Sequence, residues 1–170
     1  MQAHLSFAIR LCCCATIALS AWVRAAESKV SGTLTLGEEK IALKYAYVDA
    51  AQPAEPIIVL SDQPLPSKSI PFIPEKLVDE QKIHAVAFSV SVADKTWTNT
   101  FGKLYLPGHG GVGLGRVEDG NETLVIRKID SGAIEGTFAT RSVVHVIESV
   151  PAYSFDLSFS VNLVKGAGQH

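Results

Sequence analysis

The residues able to do chemistry are few, and their spacing is uninformative. The chain carries five histidines, three cysteines and 17 acidic residues among 170 positions. His84, His109, His145 and His170 lie outside the N-terminal segment. None is paired at an H-x-x-x-H spacing and no acids cluster beside them, so no local metal site is written in the chain. His84 and His145 fall in or beside strand-like segments and could meet in the fold, although satisfied strand or surface histidines are the simpler reading. There is no G-x-S-x-G nucleophile elbow. Glu38-Glu39 and Asp79-Glu80 sit in an expected turn and helix, where solvated acids are ordinary. The sequence therefore assigns no catalytic residue, no metal ligand and no cofactor.

Two features are less bland. Gly108-His109-Gly110-Gly111-Val112-Gly113 formally matches G-x-G-x-x-G, a pattern that binds pyrophosphate only where a strand feeds a helix N-terminus. Here residues 114–118 continue as a strand, so the glycines read as a flexible or bulged connection. His109 and Arg116 would then stand on the rim of a binding site. Asp156 interrupts a hydroxyl-rich strand face, which is either solvent-facing or the lining of a polar lumen. Asn121-Glu122-Thr123 is a glycosylation acceptor triplet, meaningful only in a eukaryotic secretory pathway.

The elements that must position these residues are strands almost throughout. Residues 30–36 (VSGTLTL) alternate, 37–40 read as a hairpin turn, and 41–48 (IALKYAYV) return with Ile41, Leu43, Tyr45 and Tyr47 on one face. Residues 57–60 form a short apolar strand. Prolines 64, 66, 71 and 74 mark a loop, and 74–82 (PEKLVDEQK) is the one credible helix. Residues 83–92 alternate again. In 96–106, Trp97, Phe101 and Tyr105 share a face. Strands are expected at 114–117, 123–129 and 133–140, with 143–147 a further candidate, before the strongest, which presents Tyr153, Phe155, Leu157, Phe159, Val161 and Leu163 on one side. Eight to ten short strands and one short helix predict an all-β antiparallel sandwich or closed barrel. No period of a repeat architecture is present.

The first 25 residues read as a cleaved signal peptide: Arg10, an apolar stretch at 11–23, and Val23-Arg24-Ala25 before the cut. All three cysteines lie inside it, so the mature chain has no disulfide or cysteine nucleophile. Its removal leaves 145 residues with 13 basic and 17 acidic groups, a net charge of -4, and speaks against a nucleic-acid surface. The expected organisation is a signal at 1–25, a single all-β domain at 26–165 and a flexible tail at 166–170. The exported product would be periplasmic or extracellular, with no transmembrane helix after signal removal.

Tyr45-Ala46-Tyr47-Val48, the segment Val59-Leu60-Ser61-Asp62-Gln63-Pro64-Leu65-Pro66 and the closing strand Tyr153-Ser154-Phe155-Asp156 resemble small exported bacterial all-β domains of uncharacterised function. The likeness covers a few short segments. It implies export and an all-β fold, and it carries no catalytic residues over.

These readings favour a non-catalytic binding or interaction module for a small apolar ligand or a protein partner. Its expected contacts are Tyr45, Tyr47, Trp97, Phe101, Tyr105, His109 and Arg116. The alternatives are an eight-stranded outer-membrane barrel and an enzyme without a recognisable motif, working through His109, Arg116 and Asp156.

Overall fold

The strongest alternation in the chain, in β10 (Tyr153–Asn162), becomes the centre of one sheet. Tyr153, Phe155, Leu157, Phe159 and Val161 are all buried, and the residues between them are not. The computed structural model describes residues 28–114, 121–130, 132–145 and 149–163. Within them ten strands form two five-stranded antiparallel sheets, which are not closed into a barrel. The architecture is a sandwich, and this settles the choice between sandwich and barrel. Among the described residues Asp156 is exposed on the outer face of the first sheet and lines no lumen.

The first sheet runs in the order β2 (Glu39–Ala42), β1 (Lys29–Leu36), β10, β9 (Ala133–Thr140), β8 (Glu122–Ile129). The second runs β3 (Tyr45–Asp49), β4 (Ile57–Ser61), β5 (Ala85–Ser91), β6 (Thr96–Leu106), β7 (Gly110–Gly113). Between them lies an aromatic core. Phe138 sits 4.3 Å from Phe88 and 4.9 Å from Phe155, and Phe88 lies 5.5 Å from Phe159. Gly136 opposes Phe159 in the ladder, and a Cβ there would stand 3.0 Å from the Phe159 ring and 2.6 Å from the Val125 carbonyl. The phenyl ring takes the space that a side chain at Gly136 would need.

Two expectations are corrected. Residues 41–48 are not one strand: the chain leaves the first sheet after Ala42 and enters the second at Tyr45. Ile41 and Leu43 face the inter-sheet core, but beyond the crossover Ala46 and Val48 take that place, and Tyr47 turns to the opposite face. The glycine-rich segment is not purely a connection, because Gly110–Gly113 pairs with Lys103–Leu106 as edge strand β7. Gly108 and Gly110 have φ of +79° and +61°, values that suit glycine at this turn. The expected strand at 114–117 mostly lies outside the described residues. That at 143–147 is reduced to one bridge, Val144 to Tyr153, with 146–148 outside them.

The second sheet is apolar on both sides. All seven residues of β5 are buried: Val86, Phe88 and Val90 enter the inter-sheet core, while Ala85 and Ala87 join a second cluster on the outer face. That cluster is sealed by the excursion between β4 and β5, a proline-rich loop followed by α1 (Glu75–Gln81). Leu65, Ile73, Val78 and Ile83 descend from it onto Val59, Ala85, Ala87 and Tyr105. Pro74 precedes the first turn of α1, and Lys82 ends it in the left-handed conformation at φ 56°. Asp79 of α1 accepts a hydrogen bond from the Gly108 amide at 2.7 Å, tying the cover to the β6–β7 turn.

Candidate functional site

The covering segment explains two of the expected contact residues. The Tyr47 hydroxyl accepts the Leu65 amide at 2.8 Å, pinning the start of the loop to β3. The Tyr105 hydroxyl donates to the Pro71 carbonyl at 3.4 Å and is also hydrogen-bonded by the Ile73 backbone. It thus holds the main chain on both sides of Phe72. Burial pushes the Tyr105 phenol above its usual range, and the Ile73 hydrogen bond pulls partly the other way.

Phe72 is thereby held outward. It is 62% exposed, the most exposed large apolar side chain among the described residues. Its ring meets Phe101 edge-on at 5.3 Å between centroids. The two rings border a cleft of about 390 Å³, completed by Asp49, Ala51, Gln52, Glu55, Ile57, Pro71 and Ser89. Phe101 itself is placed by an irregularity in the β5–β6 ladder. Pairing jumps from Phe88↔Gly102 to Val90↔Trp97, so β6 carries extra residues opposite Ser89. The Ser89 hydroxyl accepts the Phe101 amide at 3.1 Å and donates to its carbonyl at 3.3 Å, contacts a regular neighbouring strand would otherwise supply. The cleft has an aromatic floor, a polar rim and two carboxylates at its edge, the composition of a small-molecule site.

The expected contacts are therefore only partly brought together. Phe101 lines the cleft, while Tyr47 and Tyr105 lie behind it under the cover. Tyr45 is 39% exposed and lines a different cleft, and His109 is exposed in the β6–β7 turn. Trp97 is described through its backbone alone, and Arg116 lies outside the described residues. Asp156 is exposed on the outer face of the first sheet, far in topology from His109 on the second. Sequence reasoning missed Phe72, whose flanking prolines mark only a loop.

It also missed the pairing of His84 with Asp62. His84 Nδ1 and the Asp62 carboxylate are 2.9 Å apart, and the same carboxylate accepts the His84 amide at 2.9 Å. The Asp62 amide returns a hydrogen bond to the His84 carbonyl at 3.1 Å. The pair closes the neck of the excursion. His145, considered as a possible neighbour of His84, is instead exposed beside the Val144–Tyr153 bridge. Among the described residues no group of three or more His, Cys, Asp or Glu could hold a metal ion, and no helix is long and apolar enough to cross a membrane. No protein-family model matches the chain, and no curated protein or solved structure is significantly similar to it.

Proposed function

We infer that the protein is an exported, non-catalytic binding module whose ligand is a small apolar molecule held between Phe72 and Phe101. The observation that carries this reading is the way Phe72 is presented. Its backbone is pinned on both sides by a buried hydroxyl, and its ring stands open beside a second ring over an apolar cleft. A phenylalanine left in water forgoes about 2 kcal/mol of burial free energy, which a bound apolar molecule would recover.

Three of the four sheet edges favour a small ligand over a protein partner. Edge strand β2 has four residues and exposes Glu39 and Lys40. Edge strand β8 is bulged between Ile126 and Lys128 and exposes Arg127 and Lys128. β7 is four residues of mostly glycine. Short, charged and bulged edges discourage added strands. The absence of a nucleophile-base pair in the cleft favours binding over turnover. Export and the periplasmic or extracellular location are part of this proposal and rest on residues 1–25, with the resemblance of residues 45–48, 59–66 and 153–156 to small exported bacterial domains beside them. Native mass spectrometry of the protein from an osmotic-shock fraction tests the reading. An adduct that disappears on organic extraction supports it; a bare mass together with hydrolytic or transfer activity would replace it with an enzyme.

A further inference from the structure

A second cleft, of about 420 Å³, opens where the chain crosses between sheets, and Glu39, Lys40, Lys44, Tyr45, Asp62 and His84 are among its lining residues. We propose that it is an oxyanion-binding site, in which His84, Lys40 and Lys44 receive the phosphate or carboxylate group of a small ligand and Asp62 positions His84.

The argument starts from the imidazole. Side-chain exposure is 17% for His84 and 15% for Asp62, so the pair is largely withdrawn from water and its geometry is held by two hydrogen bonds to one carboxylate. The Nδ1 edge is spent on Asp62. Among the described residues Nε2 has no hydrogen-bond partner, and the ring lines the open cleft. A fixed imidazole with one edge on a carboxylate offers the other edge with a defined orientation.

Serine nucleophile chemistry is not available to it. No serine lines the cleft, and Ser61, which pairs with Ala85 next to His84 in the β4–β5 ladder, is fully buried and donates its hydroxyl to the Gln63 carbonyl at 2.7 Å. What shares the cleft with Nε2 is charge. Lys40 from β2 and Lys44 from the crossover line the same space, with Glu39 as the one carboxylate not paired with the imidazole and Tyr45 as the remaining titratable group. With His84 protonated, the lining carries a net charge of +1. An oxyanion would accept from Nε2–H and from the two ammonium groups, the charge-assisted contacts that hold phosphates and carboxylates. Nδ1–H and Nε2–H are both present only in the imidazolium, so the ring that holds Asp62 on one edge and an oxyanion on the other is the cation.

The test is a titration of the purified protein with sodium phosphate and, separately, sodium acetate, at ionic strength held constant with sodium chloride. The His84 ring is followed in long-range ¹H–¹⁵N spectra. The proposal expects a saturable shift with half-saturation of about 1 mM or below. The anion that saturates first distinguishes a phosphate from a carboxylate ligand. Lys40→Gln with Lys44→Gln, both exposed positions, should weaken binding tenfold or more without changing the urea midpoint. No saturable shift with either anion, or a shift that the double lysine variant leaves unchanged, overturns the proposal.

Discussion

Replacing Tyr105 by Phe removes one oxygen atom and nothing else from the buried cover, which makes it a sensitive probe of how Phe72 is held. The hydroxyl donates to the Pro71 carbonyl at 3.4 Å, a long contact, and the Ile73 backbone hydrogen-bonds to it. Ile73 is 5% exposed, so its amide has little access to replacement water. A neutral hydrogen bond contributes about 1 kcal/mol net, and a buried donor left without an acceptor costs about 1–3 kcal/mol. Tyr105→Phe should therefore destabilise the protein by about 1–2 kcal/mol at neutral pH, read as a lower urea midpoint with an unchanged m value. The alkaline limb gives a second, independent readout. The folded phenol holds its proton above the usual pKa of 10.0. Between that value and the raised one, the unfolded chain binds fewer protons than the folded one, so wild-type stability falls as pH rises. This contribution is fully present below pH 10 and absent from the variant, so the gap between the two proteins must narrow above it. An unchanged midpoint at neutral pH, or a gap that stays constant through the alkaline range, would refute the peg.

Phe72→Ala removes a ring whose residue is 62% exposed, so it should cost only about 1 kcal/mol from burial and the Phe101 edge contact, while binding of an apolar probe drops at least tenfold by fluorescence or calorimetry. Phe138→Ala, by contrast, empties a fully buried site between Phe88 and Phe155 and should cost about 3–5 kcal/mol in the same denaturation assay. At Gly32, φ is +131° and an added Cβ would lie 2.1 Å from the Asp156 carbonyl oxygen, so Gly32→Ala should cost roughly 3 kcal/mol or more, or abolish folding, checked by circular dichroism. Lys128, at 3.0 Å, and the amides of Gly132 and Ala133 hold the Asp130 carboxyl below its usual range. Its stabilising effect is present above the usual carboxylate range and is lost as pH falls through the lowered value, so Asp130→Asn should flatten the acid limb of the stability curve.

The sequence was legible where one face of a strand met the core and the other met water. The alternation of 153–161 marks the buried side of β10 correctly because Ser154, Asp156, Ser158 and Ser160 face away from the sandwich. It misled at 41–48 because Tyr45, Ala46, Tyr47 and Val48 are apolar at both parities. A strand covered on both sides has no polar face to reveal where the chain changes sheets. The glycines of β7 carry no side-chain pattern at all, so their pairing with β6 could not be read. The Asp62–His84 pair joins residues 22 positions apart through a loop that leaves and returns. Its only local trace is an acid just after one strand and a histidine just before the next. Tyr47 and Tyr105 stand out in the sequence as aromatic, but nothing local to them shows that a proline-rich segment folds over them.

Chemical-shift mapping of the protein with a small apolar probe such as indole tests the central claim most directly. The account predicts saturable shifts confined to Ile57, Phe72, Ser89 and Phe101, lost in Phe72→Ala while that variant keeps its fold. Shifts elsewhere, or the same shifts in the Phe72→Ala variant, would contradict it.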